Sequence, residues 1–145
     1  MKKIVFMALI GLLAAGPLQA QDIVTQDIKQ LPPKSQKLIT DYFSAEKISY
    51  IKIDEEWLSK DYEVTFVSGN EIEFSKNGDW HEINCKRSAV PEALVPGNIL
   101  AYVKKNFSGT SIAKIEKKSN HYEVELSNDL DMEFDLSGNF LRLDD

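Results

Sequence analysis

Two stretches sixty residues apart use almost the same wording. EIEFSKNGDW runs from Glu71 to Trp80, and DMEFDLSGNF runs from Asp131 to Phe140. The correspondence extends backwards. LPPKSQKLITDYFS (31–44) lies over VPGNILAYVKKNFS (95–108) at an offset of 64. YIKI (50–53) lies over IAKI (112–115) at 62, and YEVTF (62–66) over YEVEL (122–126) at 60. Two copies of a unit near 60 residues point to a tandem duplication, because solenoids need more and usually shorter units. A chain written this way is expected to fold as one unit built twice.

Each copy opens with a helix. Leu38, Ile39, Tyr42 and Phe43 form one apolar stripe behind Pro32 and Pro33. Ile99, Leu100, Tyr102, Val103 and Phe107 repeat it behind Pro96. Alternating or β-branched runs follow at 48–54, 62–67, 71–76 and 79–85, and again at 112–118, 121–126, 131–136 and 139–143. The joints SGN, NG, SND and SG carry hairpin chemistry. Each copy therefore reads α-β-β-β-β. The fold class is α+β: two tandem repeats, about 28–87 and about 90–145, forming one antiparallel sheet with helices on one face.

Asn77-Gly78 suits a two-residue turn. Under that register Ser75 opposes Trp80, Phe74 opposes His81, Glu73 opposes Glu82 and Ile72 opposes Ile83. Cross-strand partners share a face. Ile72, Phe74 and Ile83 then face the helix, while Glu73, Trp80 and Glu82 face away. Around Ser137-Gly138 the same rule sends Met132, Phe134, Leu141 and Leu143 inward and Glu133, Phe140 and Arg142 outward. Glu63, Glu123 and Glu125 share the outward face. The sheet is thus expected to have one apolar covered face and one open acidic face bearing a matched pair of aromatics. A bulge would turn those aromatics inward.

The N-terminus, MKKIVFMALIGLLAAGPLQAQ, has the order of a secretory signal peptide: Lys2 and Lys3, an apolar run from Ile4 to Ala15, then Pro17 and Ala20. Cleavage is expected after Ala20, which assigns 1–20 to the signal and 21–145 to one domain in the periplasm or outside the cell. The apolar run is too short to span about 30 Å of hydrocarbon, so no stable membrane anchor remains after cleavage. Removing Lys2 and Lys3 leaves 15 basic against 23 acidic residues, a net charge of −8. Such a surface repels nucleic acid and suits a basic partner. A lone cysteine, Cys85, cannot form an internal disulfide and reads as a small core residue.

With its signal peptide, doubled helix-plus-hairpins unit and the YEV…EIEF…NGDW wording, the chain resembles the PepSY-like, β-lactamase-inhibitor-like secreted proteins. The resemblance implies two α/β repeats in one curved sheet with helices on its convex side. It also implies partner binding on the concave face, here around Trp80 and Phe140. The chain lacks the inhibitor's disulfide-forming cysteines.

Catalytic signatures are absent: there is no G-x-S-x-G, P-loop or dinucleotide fingerprint. His81 and His121 do not occupy matching positions in the two copies. NDLDMEFD (128–135) lacks the spacing and glycine of an EF-hand loop. No cofactor or metal is expected, and an enzyme is not. The expectation is a non-catalytic binding module for an unidentified protein or peptide. Its face comprises Trp80, Phe140, Glu63, Glu73, Glu82, Glu123, Glu125, Glu133 and Arg142. The alternatives are an inhibitor of a secreted hydrolase and a binder of a small ligand or Ca²⁺. Trp57, near a hairpin tip, reads equally as a rim anchor or as packing over the turn.

Overall fold

The computed structural model describes residues 22–144, so the expected signal segment and its expected cleavage site lie outside the described residues. One antiparallel sheet of nine strands runs in sequence order, with two α-helices packed on one face. The strands are β1 (Ile23–Thr25), β2 (Ile48–Glu55), β3 (Lys60–Phe66), β4 (Glu71–Phe74), β5 (Trp80–Asn84), β6 (Ile112–Lys117), β7 (His121–Leu126), β8 (Asp131–Asp135) and β9 (Phe140–Asp144). Helix α1 (Pro33–Tyr42) precedes β2, and α2 (Gly97–Asn106) precedes β6. The sequence reading missed β1, whose three residues pair with Ile51–Ile53 of β2.

Prolines fix where both helices begin. Pro32 and Pro96 are the N-caps, and Pro33 takes the first helical position of α1, where its missing N–H costs nothing. Phe43 and Phe107 close the two helices by donating their N–H to Ile39 and Val103. The core lies between helices and sheet: Ile39, Phe43, Ile99 and Val103 meet Val64, Phe66, Ile72, Phe74, Ile83, Ile115, Val124 and Phe134. Phe43 stacks on Phe66 with ring centroids 5.3 Å apart. Cys85 is fully buried within this core, as its isolation implied.

The two halves pair their strands alike. Ile48↔Phe66, Tyr50↔Thr65, Ile51↔Val64 and Lys52↔Glu63 match Ile112↔Leu126, Lys114↔Glu125, Ile115↔Val124 and Glu116↔Glu123. Lys52 therefore corresponds to Glu116, an offset of 64 rather than the 62 read from YIKI over IAKI. The two small length differences read from sequence collapse into one, a β2–β3 hairpin longer than its β6–β7 counterpart.

The repeated wording has a structural reason. Both turns are three residues long, not two. Gly78 donates to the Ser75 carbonyl at 2.9 Å and Ser75 donates to that of Asp79 at 2.9 Å. Gly138 donates to Asp135 at 2.9 Å, and Asp135 to Asn139 at 2.8 Å. Each glycine is left-handed, with φ of +86° and +85°, the position that completes a type I turn with a glycine bulge. Each turn also docks onto a helix start. Ser35 Oγ donates to the Gly78 carbonyl at 3.1 Å, and Asn98 Nδ2 donates to that of Ser137 at 2.9 Å. A Cβ on Gly138 would lie 2.8 Å from the Asn98 Cβ. Handedness and close approach both demand glycine.

That turn shifts the register. Phe74 opposes Trp80 and Phe134 opposes Phe140, while Glu73 still opposes Glu82 and Glu133 still opposes Arg142. The extra residue is taken up by a bulge beside each aromatic. Trp80 and Phe140 therefore point to the helix side, contrary to the two-residue-turn expectation. Phe140 stacks on Tyr102 of α2 at 4.7 Å and meets Phe134 edge-on at 5.9 Å. Trp80 packs against the core and lines a hollow with Leu38 and Tyr42 of α1. His81, expected beside the core, is instead on the open face with Glu73 and Asp61. Leu141, expected inward, takes the bulge position, whereas Leu143 keeps its place opposite the buried Met132; both are about half exposed on the edge strand.

Candidate functional site

The open face is built from strand register. Lys52, Glu63, Glu73, Glu82, Glu116, Glu123, Glu133 and Arg142 are successive cross-strand partners from β2 to β9. Six glutamates thus stand side by side in one row, closed at each end by a cation. At about 4.8 Å per strand the carboxylates span about 24 Å. A second row runs parallel: Tyr50, Thr65, Glu71, Asn84, Lys114, Glu125, Asp131 and Asp144. Alternation alone makes these faces. Every second residue of EVTF, YEVEL and EIEF is apolar and buried, which leaves the acidic ones outward.

All the carboxylates expected on this face are there: Glu63, Glu73, Glu82, Glu123, Glu125 and Glu133, together with Arg142. Trp80 and Phe140 are not. Sequence reasoning missed Glu116, Lys52 and Lys114, although alternation along β2 and β6 carried the signal. It also missed that the acids form one ladder, because pairing between the two halves cannot be read from either half alone.

The row is neutralised unequally. On the second half Lys114 reaches Glu82 at 3.1 Å, and Lys118 reaches Glu116 at 2.6 Å and Glu123 at 3.9 Å. Arg142 holds the buried Glu133 at 2.7 Å, and Lys86 reaches Glu125 at 3.3 Å. Burial tends to lower the pKa of Lys114, but the hydrogen bond and charge of Glu82, with Glu116 and Glu125, outweigh it and hold the amine above its usual value. On the first half Lys52 turns away to Asp22 at 3.1 Å. Among the described residues Glu63 then has no ion-pair partner, and Glu73 has only His81, at 3.4 Å. Burial raises the pKa of Glu73, as do Glu82, Glu63 and Glu116, against the opposing pull of His81.

Two shallow hollows of about 210 Å³ each mark this face. One is lined by Lys52, Asp54, Asp61, Glu63, Glu73 and His81, the other by Lys114, Glu116, Glu123, Glu125, Asp131 and Asp144. In the second hollow burial raises the pKa of Asp131, as do Glu125 and Asp144, against Lys86 and Lys114. Among the described residues no group of three or more His, Cys, Asp or Glu side chains is arranged to hold a metal ion. No described helix is long and apolar enough to cross a membrane.

An antiparallel sheet with helices on one face and a polar open face defines a class of small α+β domain. Residues 60–142 match the family described as "putative beta-lactamase-inhibitor-like, PepSY-like", and the chain belongs to that family. Three solved structures share the fold and more than a third of the sequence. A "putative calcium-regulated periplasmic protein" from Bacteroides thetaiotaomicron is 38% identical, with a TM-score of 0.81 over 86% of this chain and 97% of that one. A "putative periplasmic protein of unknown function" from Bacteroides vulgatus is 39% identical, with a TM-score of 0.80 over 86% and 100%. A further periplasmic protein from Bacteroides vulgatus is 38% identical, with a TM-score of 0.80 over 90% and 100%. No curated protein matches the chain.

Proposed function

We propose that the chain is an exported, non-catalytic binding module, two copies of one α/β unit, that holds a cationic protein or peptide on its open sheet face. The carrying observation is the glutamate row. Like charges directly opposite each other destabilise a sheet. Five such pairs adjoin here, from Glu63·Glu73 to Glu123·Glu133. A sheet needs no such ladder to fold, and a cationic partner would relieve it. The periplasmic descriptions of the similar structures, with the signal-like N-terminus, support export. Partner binding in the manner of an inhibitor is compatible with the family description, but the aromatic anchors that supported it lie on the helix side.

Calorimetric titration with oligolysine tests this reading. Binding should weaken steeply with salt, because exposed charges are screened over about 8–10 Å. Glu63→Gln with Glu73→Gln should weaken it about tenfold. Salt-independent binding, or equal affinity for that variant, would sink the proposal.

A second reading is Ca²⁺ binding, favoured by the calcium-regulated description of one similar protein; Glu125, Asp131 and Asp144 line one hollow but are not arranged to hold the ion, so the metal would have to draw them together. Ca²⁺ that binds only the folded state raises the melting temperature with concentration. Loss of that rise in Asp131→Asn would assign the hollow.

A further inference from the structure

The β2–β3 hairpin is the one place where the two halves differ in length. Ten residues separate the row positions Lys52 and Glu63, against six between Glu116 and Glu123. The longer hairpin outruns its neighbours: the last partner of β3 on β4 is Phe74, opposite Tyr62. Beyond it the hairpin pairs only with itself, through Asp54↔Asp61 and Glu55↔Lys60. At its tip Trp57 is 94% exposed and Leu58 88% exposed. Packing over the turn, one reading left open by the sequence, would have buried the indole. The fold does not require the extension either, since β6 and β7 close the matching hairpin with Lys118 donating to His121 at 2.8 Å.

We infer that this hairpin is a docking arm whose Trp57 and Leu58 enter an apolar depression on a partner protein rimmed by Lys and Arg. The inference rests on the proposed reading of the open face and specifies the partner's chemistry. Asp54 and Asp61 stand at the base of the arm and also line the first hollow, beside Glu63 and Glu73. This is the end of the row left without lysine partners. Among the described residues Asp54 and Glu63 have no ion-pair partner and Asp61 and Glu73 have only His81, so an apolar anchor framed by carboxylates without lysine partners complements apolar side chains framed by cations. A lipid surface fits worse, because the same carboxylates would have to approach the headgroups with the indole.

The test uses the mature chain carrying Trp80→Phe, which leaves Trp57 as the sole indole. One probe is a peptide of about eight alternating Lys and Leu residues, about 25 Å long when extended. The control alternates Lys and Ser, and vesicles of phosphatidylcholine complete the set. The Lys-Leu peptide should shift Trp57 emission to the blue and bind about tenfold more tightly than the Lys-Ser peptide, as expected for an aromatic anchor. Trp57→Ser with Leu58→Ser should abolish that difference in calorimetry, with an unchanged melting temperature showing that the fold is intact. Equal binding of both peptides, no emission shift, or an equal shift with vesicles overturns the arm. Failure of both peptides to bind overturns the open-face reading and the arm together.

Discussion

Replacing Phe140 with alanine separates the two possible orientations of the aromatic pair. On an open face the ring would contribute little to stability and much to binding. In the structure it is half-buried, stacked on Tyr102 at 4.7 Å with 8° between ring planes, and edge-on to Phe134 at 5.9 Å. Truncating a fully buried Phe costs about 3–5 kcal/mol. Half burial scales this to about 2 kcal/mol, a figure that includes aromatic pairs worth about 0.5–1.5 kcal/mol each. For a domain of this size that is a fall of about 8 °C in Tm. Circular dichroism melts of wild type and Phe140→Ala measure it, and a cycle with Tyr102→Ala should give a coupling of about 1 kcal/mol. Oligolysine affinity should be unchanged. A Tm within about 2 °C of wild type, together with lost oligolysine binding, would refute the reasoning and return the ring to the open face.

Further outcomes follow from the same geometry. Gly138→Ala should cost about 2 kcal/mol in urea denaturation, because a left-handed Cβ costs about 1–2 kcal/mol and would also collide with Asn98 at 2.8 Å. The Cys85 thiol, pushed up to about 11 by burial and by the charge of Glu46 against a hydrogen bond with Ser88, should resist a disulfide reagent at neutral pH until urea unfolds the chain. Glu73 holds its proton more tightly folded than unfolded, so its contribution to stability falls as pH rises through the window above 4.5 and returns on acidification. Glu73→Gln should flatten that limb of a stability-against-pH profile, and an unchanged limb would assign it to another group.

Much of this fold was legible in the sequence because its signals are local. The prolines at 32, 33 and 96 fix the helix starts, and the alternation in YEVTF and YEVEL fixes which side chains go in. What failed was one residue of turn length. Asn77-Gly78 reads as a two-residue turn, but Gly78 serves as the left-handed third residue of a longer one. A side-chain period of two makes such a slip reverse a face. Only the residues between the turn and the bulge were affected, so Trp80 and His81 exchanged sides while Glu82 and Ile83 kept theirs. In the longer turn the carbonyls of Gly78 and Ser137 accept from Ser35 and Asn98, contacts over about forty residues that no local pattern announces.

The same long-range pairing explains why the candidate site could be sensed but not drawn. Each half supplies three glutamates to the row, and only the β5–β6 junction, where Glu82 meets Glu116, joins them into six. Across that junction the halves differ in charge as well as in hairpin length. Lys114 and Lys118 fill the second half of the row, whereas the corresponding first-half positions on β2 are Tyr50 and Asp54, an aromatic and another acid. Lysines therefore neutralise the row from Glu82 onward, while among the described residues Glu63 has no ion-pair partner and Glu73 has only His81, beside the extended hairpin. A face meant only to be solvated would gain by neutralising both halves alike. Leaving Glu63 and Glu73 without a lysine, next to an exposed indole, suits the proposed site for an external cationic partner.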